Sequence, residues 1–183
     1  GDIALPGFFL YTWYSQFSAQ HLVGGIGKTT TGEQVTVIVY PYRLPRRLKP
    51  LTACILETQK DFGNGAIGTV LLLCIDPKAE FELVSRNGLR VVIVPPNHPL
   101  FRETLETMPR LSGFVHLVYA ALHDLASGVA PTKVFAYAVN QRSNDYREWS
   151  KGIGGEADEV LSYIIAELSA DEKFYRQFAV FAD

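Results

Sequence analysis

The chain has 183 residues, 48% of them hydrophobic and 20% charged, with a formal net charge of −2. This length and balance suit one domain, residues 1–183, with a sizeable core. They exclude a surface that attracts nucleic acid or anionic membrane as a whole, so no DNA or RNA partner is expected.

The opening segment, "DIALPGFFLYTWYSQFSAQHL", predicts a long aromatic N-terminal helix. Asp2 suits its N-cap, and Pro6 falls early enough to be tolerated. Leu5, Phe9, Trp13 and Phe17 recur every four residues as one stripe, and Phe8, Thr12, Ser15 and Ala19 form a second, more polar one. A Gly/Thr-rich connection follows, then "QVTVIVYPY", a buried strand, and the basic loop "YRLPRRLKP". "LTACILETQ" fits helix or strand, "DFGNGAIG" a turn and "TVLLLCI" a strand. "AEFELVSRNGLRVVIVPP" predicts a hairpin turning at Asn87-Gly88. "HPLFRETLETM" starts a helix that Pro109 and Gly113 break; it resumes in "GFVHLVYAALHDLASG" and ends at Gly128. "TKVFAYAV" predicts a strand, "QRSNDYREWSKGIGG" a polar loop, and the remainder one or two closing helices. The order implies an α+β fold with a mixed sheet covered by helices.

Chemical motifs are few. "GGIGKTTTGE", Gly24 to Glu33, nearly spells a phosphate-gripping loop through Gly27-Lys28-Thr29. A P-loop needs a glycine where Leu22 stands, and a strand before it with a helix after it. The predicted order is helix, connector, strand, so a P-loop-like NTPase is kept only as an alternative. His116 and His123 lie two helical turns apart, roughly 10 Å, too far to share a metal, and no metal is expected. Glu57 and Lys60 miss the spacing of a metal nuclease by one residue, and no nucleophile elbow occurs. Arg43, Arg46, Arg47 and Lys49 form the densest positive cluster, read as a solvated loop or as an anion- or subunit-contacting one. Cys54 and Cys74 sit in apolar runs and suit buried reduced thiols, hence a cytoplasmic location. No run is long enough to span a bilayer. The only Met is Met108, so the sequence is expected to be a domain of a longer protein.

Read in order, "ALPGFFLYTWYSQF", "VTVIVYPYRLP", "FELVSRNGLRVVIVPPNHPLFRETL" and "TKVFAYAV" with the closing helix resemble the cyclic-dinucleotide-binding domain of bacterial STING proteins. What the resemblance implies is a non-enzymatic receptor: a V-shaped homodimer with a curved sheet that binds one cyclic dinucleotide, such as cyclic di-GMP, between protomers. It implies a fused effector, such as a TIR domain or a transmembrane segment, which ligand-driven oligomerisation switches on in anti-phage defence. It implies no other cofactor. Gly7-Phe8 matches the pair that sets a ring against a base, with Tyr11, Thr12 and Ser15 beside it. Asn97, His98 and Pro99 would form the opposite wall, with Arg102 meeting a phosphate. Lys78 or Arg86 would supply the lid cation. Asn97 and Leu100 stand where guanine-reading members carry Asp and Thr, which leaves the identity of the dinucleotide open. A protein-interaction module with no small ligand is the remaining alternative.

Overall fold

Two of the predicted buried strands, Gln34–Tyr40 (β3) and Thr69–Cys74 (β4), lie side by side and parallel at the centre of a mixed sheet. The computed structural model describes residues 9–17, 20–42, 51–53, 55–56, 68–86 and 88–179, with side chains described from His21 onward. Within the span expected as one domain, the chain divides into two compact units, Gly1–Met108 and Pro109–Asp183.

Among the described residues the first unit holds six strands, a helical stretch at 51–53 and 55–56, and one longer helix. The strands are β1 (Phe9–Phe17), β2 (Gln20–Lys28), β3, β4, β5 (Glu82–Arg86) and β6 (Leu89–Val94), and the helix is α1 (Pro99–Thr107). The sheet order is β1-β2-β3-β4-β6-β5. β1, β2 and β3 are antiparallel, β3, β4 and β6 are parallel, and β5 returns antiparallel to β6 through the expected hairpin. Every residue of β4 is buried. On one face Ile38, Leu72, Cys74, Val91 and Ile93 pack with Leu51 and Ile55, which lie in a helical stretch. On the other, Val35, Val37, Val39, Leu71, Leu73 and Val92 alternate with them and are equally buried. Burying both faces at about 25 cal/mol per Å² of apolar surface dominates the stability of such a sheet.

The aromatic segment is the first correction: residues 9–17 form a strand, not a helix. An interval of four residues is one helical turn and also two strand periods, so the Phe9, Trp13, Phe17 spacing fits both. Aromatic residues favour strands, and the partner strand is glycine-rich: Thr12 pairs with Gly25 and Trp13 with Gly24. The connector reading of "GGIGKTTTGE" changes with it. Gly24 to Lys28 is strand, paired on both sides as far as Gly27 and with β3 alone at Lys28, and Thr29 to Gly32 is the turn. Thr29 Oγ1 accepts from the Glu33 N–H at 3.1 Å, and Gly32 takes φ +86, which only glycine adopts without strain.

The second unit is helical: α2 (Pro109–Ala126), α3 (Pro131–Asn140), α4 (Ser143–Ile153), a 3₁₀ turn (Gly154–Glu156), α5 (Ala157–Ser169) and α6 (Glu172–Arg176). The break expected at Pro109 is there: α1 ends at Thr107, and Pro109 opens α2, because the first helical position needs no N–H. Gly113 lies inside the same helix. A Cβ there would stand 2.7 Å from the Asp145 carbonyl oxygen, so the glycine is where α4 approaches α2. "TKVFAYAV" is helical, not a strand. Its run is apolar at almost every position, so period two carried no weight against Pro131 at the helix start and buried Val134 and Ala138 four residues apart. The supposed polar loop is α4, anchored by one fully buried residue, Trp149, whose ring lies 5.2 Å from that of Phe114. The closing segment forms two helices, as expected.

Gly113→Ala should lower stability by about 1–3 kcal/mol, because the added methyl has no room against backbone. Trp149→Ala should cost about 3–5 kcal/mol. Urea unfolding followed by circular dichroism checks both, and unchanged midpoints would show that α2 and α4 are not packed this closely.

Candidate functional site

The parallel strands β3, β4 and β6 end at one edge of the sheet, and each end is punctuated by proline: Pro41 after β3, Pro77 after β4, and Pro95 and Pro96 after β6. Proline cannot extend a ladder, so the chain leaves the sheet there. The edge lies at the carboxyl ends of parallel strands, where open α/β sheets seat their ligands.

After β4 the ladder runs on for two bonds, Ile75 N–H to the Tyr40 carbonyl (3.0 Å) and Asp76 N–H to the Pro41 carbonyl (2.9 Å). Asp76 then closes a tight turn. Its Oδ1 accepts from the Lys78 N–H at 2.9 Å, and its carbonyl accepts from the Ala79 N–H at 3.0 Å. Asp76 is only 7% exposed and its carboxylate serves the turn, while Lys78 is exposed. After β6, the His98 N–H donates to the Pro95 carbonyl, and His98 becomes the N-cap of α1. Its Nδ1 accepts from the Leu100 N–H at 3.1 Å, which leaves Nε2 to carry the proton of the neutral ring. Pro99 takes the first helical position and fixes the entry. The His98 ring stacks on Phe81, with centroids 4.3 Å apart and planes at 16°. Phe81 remains 49% exposed.

Lys78, Asn97, His98 and Pro99 are thus brought to one end of the sheet, and Arg102 follows exposed on the first turn of α1. Arg86 is not with them. It pairs with Leu89 at the far end of the hairpin, about 17 Å of strand rise from Val94. Of the two candidates for the lid cation, only Lys78 shares this end with Asn97. Phe8 lies outside the described residues. Tyr11, Thr12 and Ser15 are in β1, at the opposite side of the sheet, four inter-strand spacings or roughly 19 Å from β6. The cluster Arg43, Arg46, Arg47 and Lys49, together with Cys54, Glu57 and Lys60, also lies outside the described residues.

Sequence reasoning missed Asp76 and Phe81. The signal for the first was Asp76-Pro77, a turn-starting pair directly after an apolar run. In the sequence Phe81 is one apolar residue of the predicted hairpin, and only the fold reveals its exposed ring beside His98. Next to this site the Cys74 thiol is pushed up to about 12, by burial first and then by the negative charge of Asp76.

Elsewhere, His123 Nδ1 donates to the Phe178 carbonyl at 2.7 Å, tying the end of α2 to the residues after α6, and His116 lies 3.4 Å from Asp145. Among the described residues no three His, Cys, Asp or Glu side chains are grouped to hold a metal ion. No helix among them is long and apolar enough to cross a membrane. The Gly24–Gly27 backbone is in sheet pairing on both sides, Lys28 pairs with β3, and a strand follows, which is not the loop-and-helix cradle a P-loop requires. No protein-family model matches the chain, no curated protein matches its sequence, and no solved structure matches its fold.

In a Cys54→Ser background, Cys74 should resist alkylation at pH 8–9 until the protein is unfolded. Because folding raises this pKa, stability should be full below the ordinary thiol value of 9.0 and decline as pH rises from there toward 12. Rapid labelling of the native protein would show that Cys74 is accessible.

Proposed function

We propose that the chain is a receptor domain for a cyclic dinucleotide, seated at the carboxyl ends of β4 and β6. The observation that carries this reading is the Phe81–His98 ring stack beside the turn that presents Lys78. A half-exposed ring backed by a second ring offers a flat surface to a purine, and base–aromatic stacking contributes about 1–3 kcal/mol per base. Lys78 and Arg102 supply exposed cations for phosphate oxygens. The Asn97 amide has both a donor and an acceptor for a base edge. The aspartate that would favour guanine is replaced, so a cyclic dinucleotide carrying adenine is included in the reading.

The STING resemblance now rests on the middle of the chain, "VTVIVYPYRLP" and "FELVSRNGLRVVIVPPNHPLFRETL". The flanking segments that also carried it take other structures, a strand at 9–17 and a helix at 131–140. The role kept from it is that of a sensor. A ligand with two bases and two phosphates is matched by two copies of one site, so the receptor is a homodimer. Its ligand would drive an attached effector of anti-phage defence in the cytoplasm.

Calorimetry with cyclic di-GMP, cyclic di-AMP and cyclic GMP-AMP tests the reading. At least one should bind at tens of micromolar or tighter. Phe81→Ala and Lys78→Ala should each weaken it about tenfold, or about 1.4 kcal/mol. Absence of binding by all three rejects the ligand class, and unchanged affinity in both variants rejects the location.

A further inference from the structure

Among the described residues β5 is the last strand of the sheet, and one of its sides faces no other described strand. Its five residues, Glu82-Leu83-Val84-Ser85-Arg86, are all exposed except half-buried Val84, and Leu83 is 57% exposed. An edge strand of this kind is a template for pairing with another chain. Only two residues separate Arg86 from Leu89, so these two form the hydrogen-bonded pair that closes the hairpin. Alternation along an antiparallel ladder then turns the backbone groups of Glu82, Val84 and Arg86 toward β6. Those of Leu83 and Ser85 point to the open side.

The charges on this edge are self-complementary. Glu82 and Arg86 lie equally far from Val84 on either side and carry opposite charge. Neither has an ion-pair partner among the described residues. We propose that β5 pairs antiparallel with β5 of a second copy of this chain, centred on Val84. In that register Leu83 of each copy meets Ser85 of the other with outward backbone groups on both, as a ladder requires. Val84 meets its own counterpart, and Glu82 of each copy faces Arg86 of the other, twice over. Opposite charges directly across a ladder stabilise it, and like charges there destabilise it. A shift of two residues either way removes both Glu82–Arg86 pairs, so the charges select the register. The two Leu83 side chains, exposed in the single chain, become diagonal neighbours at about 7–8 Å. The contact is isologous and closes as a dimer with a sheet continuous across both copies.

This contact goes beyond the ligand site and does not depend on it. Five residues a side is a small interface, at the weak end of the size range, so association is sought in unliganded protein at low salt and up to about 1 mM. Sedimentation should show a reversible monomer–dimer equilibrium weakened by salt. Arg86→Glu and Glu82→Arg should each weaken it at least tenfold. An equimolar mixture of the two single variants should pair again as a heterodimer, and the double variant E82R/R86E should regain the homodimer. These two rescues exclude misfolding as the cause of the losses. A monomer throughout, a dimer that both reversals leave unchanged, or failure of both rescues overturns the proposal. A dimer insensitive to the reversals would still be compatible with a ligand-binding dimer, and failure to bind any cyclic dinucleotide leaves the edge contact standing.

Discussion

β4 is buried along its whole length and has a parallel neighbour on each side. A strand so placed commits its backbone to the sheet and needs apolar cover above and below. Val70, Leu72 and Cys74 meet that need on one face, and Leu71 and Leu73 on the other. The same arrangement aligns the carboxyl ends of β3, β4 and β6. The chain must leave all three at one edge, and it does so with prolines and turn-forming polar groups. Asp76 and His98 are therefore near one another in role as well as place: each uses a side chain to satisfy backbone N–H groups at a strand exit.

That division of labour gives the candidate site its character. The buried carboxylate and the capping ring are occupied with holding the backbone, and exposed neighbours face outward from the frame they make. Lys78 projects from the turn that Asp76 closes, and Phe81 is backed by the ring whose position the α1 cap fixes. A flat ring held this way loses little freedom when something stacks on it, and that preorganisation favours binding.

The central strands, the β5–β6 hairpin and the helix entered at Pro99 were legible in the sequence, because β-branched runs and turn residues agreed there. Three segments were not. The aromatic run at 9–17 has a spacing common to both periodicities, and its outcome was decided by the glycine-rich strand it pairs with. In "TKVFAYAV" nearly every residue is apolar, so alternation had no contrast to work on. α4 reads as polar because its burial is concentrated in Trp149, and only the close approach allowed by Gly113 explains why that suffices. The site was half legible: Lys78, Asn97, His98 and Arg102 fall near one end of the sheet, whereas the separation of Arg86 depends on strand register that no local pattern reveals.

The two units also differ in how far apart in sequence their partners lie. β3 and β4 are neighbours in the sheet, yet 28 residues separate Tyr40 from Thr69. In the helical unit, α2 to α6 follow one another through short connections. Closing a long crossover before any ladder bond forms is slow, and local helical contacts form quickly. The part of the chain that is made first thus has the longer search ahead of it. Until β4 docks, its apolar run and the edges of its neighbours are open to wrong partners, so the interval between synthesis and sheet closure is when this protein is most exposed to aggregation.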